Sequence, residues 1–474
     1  MKKLYLVRTI ILAGNLLLQL STFCFHTRGA AGDVDLSFDP GLGVNSGSVN
    51  GVAVQPDGKV LLSGFFTTAG GLLRTNVARL NADGSGDPTF NPGPGLTNLN
   101  FLNIALQPDG ELLTCAVTGT GPSGEWSGSA SRLNSDGTLD GSFIAARGSY
   151  PYGPSFSSVV VQADGKVLLG GGFEDAFVDN ENGLFYFLRY LLVRLNTNGT
   201  SDTSFAPAIG EFNPYDHTRI GAMTLQPDGK VLIGIWGRGN GNHIARLNSD
   251  GGFDSTFNQG PALNSLPCSV VVQADGKVLV GGFFTAVNGT SRNGIARLNA
   301  NGSLDTSFNP GTGTDGYVLS VALQRNGKVL IGGSFTQVNG TNRNNIARLN
   351  ANGSLDSTFS AGAGEQGIVR SIVLQVDGNL LVGGDSTIVN GMAHARLVRL
   401  YGDSVAPSLS IMRSNAFVIV SWPVTGMNFQ LQESSNLYPA AWSPVAQSGV
   451  TNAGQISVTL PTTAGRRFFQ LMSK

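Results

Sequence analysis

The sequence predicts an all-β fold: a seven-bladed β-propeller of four-stranded antiparallel blades, followed by a small β-sandwich. Three observations predict it: a motif set written seven times, turn signals between short apolar runs, and a change of composition near residue 404. Asp-x-Ser/Thr-Phe occurs at Asp35–Phe38, Asp87–Phe90, Asp140–Phe143, Asp202–Phe205, Asp254–Phe257, Asp305–Phe308 and Asp356–Phe359. Gln-x-Asp/Asn-Gly follows at Gln55, Gln107, Gln162, Gln226, Gln273, Gln324 and Gln375. An Arg-Leu pair closes each unit, at Arg79, Arg132, Arg194, Arg246, Arg297, Arg348 and Arg399. Successive glutamines lie 47 to 64 residues apart. A repeat of about 40–50 residues made of short strands is a propeller blade or a solenoid coil.

The unit at 305–355 is the clearest. Val318–Leu323 reads as a first strand, Arg325-Asn326-Gly327 as a turn, and Lys328–Ile331 as a second strand. Asn345–Asn350 reads as a third, and Asp356–Phe359 as a short fourth. Asp-Gly and Asn-Gly favour tight hairpins because both residues tolerate positive φ. A Gly-Gly pair recurs after the second strand at Gly171-Gly172, Gly281-Gly282, Gly332-Gly333 and Gly383-Gly384. Glycine weakens a strand, so its repetition implies close backbone approach or a bulge. The repeat region opens with a fourth-strand motif, Asp35–Phe38, and closes with a third strand at Arg399-Leu400. The N-terminal strand is therefore expected to complete the last blade and close the ring. An open solenoid would need polar caps instead.

These residues carry a resemblance. The run Leu-Gln-x-Asp-Gly-Lys-Val-Leu-Ile/Val-Gly-Gly-x-Phe-Thr, then Asn-Gly, then Ile-Ala-Arg-Leu-Asn-x-Asp/Asn-Gly-Ser-Leu-Asp-x-Ser-Phe, resembles the delta-60 repeats of bacterial secreted and surface propellers. The resemblance spans residues 35–403, is weakest in units two to four, and implies no catalytic residues. After Asp403, strand-like runs at Leu409–Met412, Phe417–Trp422, Phe429–Gln432 and Ile456–Leu460 begin a second module. Val420-Ser421-Trp422, Gln430–Ser434, Trp442 and Phe468–Leu471 resemble a small fibronectin-type-III-like sandwich. Trp422 and Trp442 are expected in its core.

The ends and the composition set the class. Residues 1–31 read as a secretory signal peptide: Lys2, Lys3 and Arg8, then a mostly apolar Ile10–Phe25, then Gly29-Ala30-Ala31. The expected division is 1–31 leader, 32–403 propeller and 404–474 terminal module, in a chain secreted or displayed on the outer cell surface. Arg8, Asn15 and Gln19 interrupt the apolar stretch, so no membrane span is expected in the mature chain. Of the 30 Lys+Arg, four lie in the leader; the 26 that remain face 31 Asp+Glu, a net of −5. Without a basic stripe, nucleic acid is not an expected partner. Cys115 and Cys268 fall in well-separated repeats and read as free thiols.

Groups repeated in every unit read as parts of the unit, because specificity needs asymmetry. The repeated Arg and Asp are therefore expected to pair structurally rather than to form an anion-binding ring. The turns of type Asn-x-Asp/Asn-Gly-x-x-Asp, as at Asn299–Asp305, resemble the first half of a calcium loop but lack its later bidentate Glu. They are read as hairpin turns, and neither calcium nor any other cofactor is expected. His217, His243 and His394 lack metal-ligand spacing, and no Gly-x-Ser-x-Gly elbow or phosphate loop occurs. The asymmetry lies in units two to four, whose loops carry aromatics and acids. The candidate ligand-binding residues are Trp126, Tyr152, Glu174, Asp175, Asp179, Tyr186, Tyr215 and Trp236. The alternative for this region is that Phe185–Leu188 and Tyr190–Val193 simply lengthen a hairpin. The expected function is a non-catalytic binding or adhesion scaffold whose partner is a glycan or an extracellular surface protein. The competing reading is an extracellular polysaccharide hydrolase or lyase using the Glu174–Glu181 acids, which would have to lie ~5–10 Å apart.

Overall fold

The computed structural model describes residues 9–13, 16–20, 30–41, 43–93, 99–118, 126–143, 147–150, 155–178, 185–207, 209, 219–237, 241–257, 262–361, 367–385, 388–389, 392–393, 396–403, 410–414, 417–423, 429–435, 442–452, 455–461 and 467–473. Among them the structure is all β. The chain divides into two compact units. One comprises residues 31–374 and 380–400; the other comprises 401–474 with 1–30 and the 375–379 turn.

The larger unit contains seven antiparallel sheets, one for each Gln-x-Asp/Asn-Gly turn. The sixth is typical: Tyr317–Leu323, Val329–Ser334 and Ile346–Leu349 pair in chain order. The second strand is buried almost throughout, because it lies mid-sheet with neighbouring sheets on both faces. The sequence expectation that Asp-x-Ser/Thr-Phe forms a fourth strand is not met: among the described residues six sheets have three strands, and the fourth strand of the second sheet is a different segment, Arg147–Tyr150. In every unit the motif is preceded by a single bridge, such as Leu349 with Leu355 or Leu133 with Leu139, and then turns. The Asp itself causes the turn: Asp356 Oδ1 accepts from the Thr358 backbone N–H and hydroxyl, which bends the chain away from the ladder.

Each first strand packs against the first strand of the next sheet, and that of the seventh sheet packs against Ser48–Val54 of the first. Two inter-sheet hydrogen bonds fix the level: Val321 N donates to Ser269 Oγ and Ile372 N to Ser320 Oγ. The core is correspondingly a series of seams between sheets. Leu381 and Leu397 of the seventh sheet share a cluster with Val49, Val60 and Phe38 at the N-terminal side. Asp35 N donates to the Arg399 carbonyl, and Val34 bridges Leu400.

The Gly-Gly pair has two separate causes. A Cβ on Gly332 would lie 2.4 Å from Val369 Cγ1 of the next sheet. A Cβ on Gly333 would lie 2.0 Å from the Tyr317 carbonyl oxygen, inside a β-bulge of the first strand. The first glycine thus admits the neighbouring sheet and the second admits the bulge. In the third sheet the pair in this register is Gly170-Gly171, eight and nine positions after Gln162 as in the other sheets with the pair, and not the expected Gly171-Gly172.

Four small hairpin arms leave the sheets between second and third strands, for example Ala286–Val287 with Thr290–Ser291. The tips Asn288-Gly289 and Asn339-Gly340 have positive φ at both residues, as does Gly70-Gly71 in the first arm. The other compact unit holds Ser410–Ser414, Phe417–Pro423, Gln455–Pro461 and Val450–Asn452 in one sheet. Ser443–Pro444, Phe429–Ser434 and Phe468–Ser473 form a second. Val420, Trp422, Leu431, Leu460 and Phe469 fill the core of this unit. Trp422 is buried as expected, whereas Trp442 is half-buried. Within residues 1–30, Thr9–Ala13 pairs with Leu16–Leu20. Among the described residues no helix is long and apolar enough to cross a membrane.

Candidate functional site

The first and second strands join at the Gln-x-Asp/Asn-Gly turns, which define a turn end of the sheets. The first strands begin at the opposite end, where the hairpin arms emerge. The two ends differ in chemistry.

At the turn end one construction recurs. Arg297 Nε donates to Asp305 Oδ2 at 2.8 Å, and Lys277 Nζ approaches the same oxygen at 2.9 Å. Arg297 Nη1 reaches the Ala351 carbonyl in the following unit, and its guanidinium lies 4.8–4.9 Å over Phe308, as Arg246 does over Phe257. The same Arg–Asp pair forms at Asp87, Asp140, Asp202, Asp254 and Asp356. The remaining pair joins the two ends of the repeat region: Arg399 Nε to Asp35 Oδ2 at 2.9 Å. Burial alone would raise the Asp305 carboxyl, but hydrogen bonds from Ser307, Lys277 and Arg297 outweigh it and hold it well below the usual carboxylate range. Each Arg is thus fully engaged within the scaffold. In the second sheet Glu111 stands where five of the others carry Lys and the seventh carries Asn379. It pairs with Arg132 at 3.0 Å, and its carboxyl is raised by burial and by Asp109 and Asp140. The Asn-x-Asp/Asn-Gly turns are likewise closed by their own groups; Ser303 N and Oγ both donate to Asn301 Oδ1.

At the arm end the scaffold repeats and the side chains do not. The bulge in each first strand leaves one extra residue without a ladder partner, five positions before each Gln. It is Asn50, Ser157, Gly221, Cys268, Leu319 and Arg370 in six of the sheets. Bulges of this kind re-aim a side chain out of the sheet's alternation. The residue at the end of the second strand, ten positions after Gln, is Phe65, Trp236, Phe283, Ser334 and Asp385 in five of them. On sheets four to seven these positions, together with the residue seven before Gln, make three contacts. Arg219 lies over Trp236 with its guanidinium carbon 4.6 Å from the ring centroid. Phe283 stacks on Tyr317 at 4.2 Å and 18°. Arg370 donates through Nε and Nη2 to the two Asp385 oxygens at 2.7 and 2.9 Å. The Asp385 hydrogen bonds raise the Arg370 pKa, and the Tyr317 phenol adds to the effect. Arg219 in turn sits close enough to oppose, weakly, the burial that pushes the Cys268 thiol up to about 12. Cys268 and the fully buried Cys115 are both free thiols whose thiolate form burial disfavours.

Of the residues singled out in the sequence, Trp236 lies in this arc. Trp126 is on the third strand of the second sheet, opposite Tyr150. Glu174, Asp175 and Tyr186 lie in the long hairpin Val167–Val178 with Phe185–Leu195, opposite Arg189, Leu188 and Phe177. Tyr152, Asp179 and Tyr215 lie outside the described residues. Arg219, Phe283, Tyr317, Arg370 and Asp385 were not legible as site residues because they sit inside ordinary strand patterns. The available signal was the set of fixed offsets from Gln at which the repeat stops repeating.

Six segments of the chain, 55–90, 107–143, 162–205, 226–257, 273–308 and 324–359, match a family model described as a domain of unknown function (DUF5122) β-propeller. The chain is a β-propeller repeat protein. No curated protein matches its sequence. Among solved structures it is similar to the extracellular domain of the BT4673 system from B. thetaiotaomicron, with 12% identity and a TM-score of 0.43 over 93% of this chain. The chain spans 56% of that domain's length. It is also similar to an ulvan lyase of family PL25, with 10% identity and a TM-score of 0.38 over 81% of this chain and 93% of the lyase. A PQQ-bound aldose sugar dehydrogenase from Streptomyces coelicolor gives 14% and 0.34 over 65% of this chain and 95% of the enzyme.

Proposed function

We propose that this propeller-repeat protein is a secreted or surface-displayed binding scaffold without catalytic activity. It takes a glycan or a surface protein at the arm end of its sheets. In this reading the seven sheets are the seven blades of a closed ring of delta-60-type repeats. Residues 404–474 form a fibronectin-type-III-like module that spaces or attaches the ring, and the leader directs export. The observation that carries the reading is the arc of non-repeating aromatic and charged side chains, Arg219–Trp236, Phe283–Tyr317 and Arg370–Asp385, set on a scaffold whose repeated Arg and Asp groups are already paired with one another. Rigid frames with variable surface positions are where recognition sits. The Glu174 and Asp175 backbone in a regular antiparallel ladder gives the hydrolase or lyase reading less support. No metal, calcium or organic cofactor takes part in the mechanism proposed.

A glycan array probed with the intact protein and with a Trp236→Ala/Phe283→Ala/Tyr317→Ala variant tests this. Capture by the parent and loss in a variant that still melts cooperatively is the expected result. Identical profiles, or depolymerisation of a polysaccharide by the parent, would overturn it.

A further inference from the structure

The arc narrows the class of ligand. Its six side chains include two guanidinium groups and one carboxylate, so it carries a surplus positive charge on a chain whose formal net charge is −1. Arg219 is exposed and, among the described residues, has no carboxylate partner. Its guanidinium carbon lies 4.6 Å from the Trp236 ring centroid, a cation–π contact that holds the group while leaving its side-chain donors without an acceptor among the described residues. Arg370 is oriented by Asp385 through Nε and Nη2, and this leaves its Nη1 donors available. A planar fork held rigid in this way matches the oxygens of a carboxylate or a sulfate. On the fifth sheet, between the sheets that carry the two arginines in chain order, Phe283 is 41% exposed and stacked on Tyr317, an apolar ring beside a hydroxyl. A sugar ring presents an apolar C–H face with hydroxyls at its edge, which fits this alternation. Six side chains fall well short of the roughly 20–30 residues a side of a standard protein interface.

We propose that the arc binds an acidic saccharide, one bearing carboxylate or sulfate groups, with its rings on Trp236 and Phe283 and its anionic groups on Arg219 and Arg370. This rests on the binding-scaffold reading above and specifies its ligand. Asp385 then tempers the site: it orients Arg370 and at the same time repels an anion. Replacing it with Asn removes the repulsion and keeps one of the two acceptors that orient Arg370.

Calorimetric titration of the full chain discriminates the outcomes. The probes are a galacturonate hexasaccharide, a sulfated hexasaccharide, neutral maltohexaose and a hexaglutamate peptide. One or both acidic saccharides should bind, more weakly as salt rises. Arg219→Gln and Trp236→Ala should each weaken binding about tenfold. Asp385→Asn should tighten it a few fold, on the order of one removed like-charge contact. The two acidic probes separate carboxylate from sulfate recognition. Equal binding of maltohexaose, lost in Trp236→Ala, would overturn the acidic class and leave the scaffold reading standing. Binding of hexaglutamate without either saccharide would overturn the saccharide. Absence of binding by all four probes would overturn the inference; the scaffold reading falls with it only if the arc variant also leaves the glycan-array profile unchanged.

Discussion

The turn end and the arm end of the same seven sheets show how a repeat divides its tasks. At the turn end Arg, Asp, Lys and a Ser or Thr recur in nearly every unit, and each Arg ties its own unit to the next unit's turn. At the arm end the backbone is as regular, with the same bulge in every first strand, yet the residue it presents changes from Asn to Gly to Cys to Arg. Paired, repeated polar groups hold sheets in place. Recognition needs groups that differ around the ring and whose donors are not already satisfied by the fold.

The largest expected effect tests the turn end. Asp356→Ala leaves Arg348, 1% exposed, without its carboxylate. Breaking a buried pair from one side costs about 3–5 kcal/mol, read as a lower urea midpoint. A loss below about 1 kcal/mol would remove the argument that these pairs are structural.

The glycines give the next test, because they separate a movable neighbour from a fixed one. Gly333→Ala meets the Tyr317 carbonyl within the bulge and should cost about 3 kcal/mol, while Gly332→Ala meets a Val369 methyl that can shift and should cost about 1 kcal/mol. The reverse order in chemical denaturation would refute this assignment of the two positions.

Acid titration follows. Asp87, Asp254, Asp305 and Asp356 have folded-state pKa values depressed below the ordinary carboxylate value of about 4. Their contribution is therefore fully present above pH ~4 and is lost as pH falls through the folded values. The melting temperature should hold near neutrality and fall steadily below pH ~4. A rise over that range would contradict the sign.

Smaller effects sharpen the contrast. Glu111→Lys restores the common pattern beside Asp140 and relieves carboxylate crowding, at the loss of one partner for Arg132. A stabilisation of about 0.5 kcal/mol is expected in thermal or urea unfolding. At the arm end, Arg219→Ala should change stability by no more than about 0.5 kcal/mol, because the side chain is exposed and paired only with Trp236. If it destabilised the fold as Asp356→Ala does, the two ends would share one role and the arc would be scaffold.

The sequence by itself determined the β-propeller repeat, through strand-length apolar runs, Asp-Gly and Asn-Gly turns and a fixed order of Asp, Gln and Arg. These are short-range signals, since a turn or a strand is specified by its own residues. Local patterning also drew Asp-x-Ser/Thr-Phe as a fourth strand, although most sheets stop at three. The Asp side chain captures the next two residues and turns the chain, which an alternating pattern cannot show. The site was the least legible part. Trp236 stood out because it is large and aromatic; Arg219, Phe283, Tyr317, Arg370 and Asp385 lie up to 166 residues apart, as Arg219 does from Asp385, and look like ordinary strand residues. The hairpin register sets Arg219 opposite Trp236 and the bulge brings Arg370 to Asp385 within single sheets; the contact of Phe283 with Tyr317 came from tertiary structure, because it depends on packing the fifth sheet against the sixth.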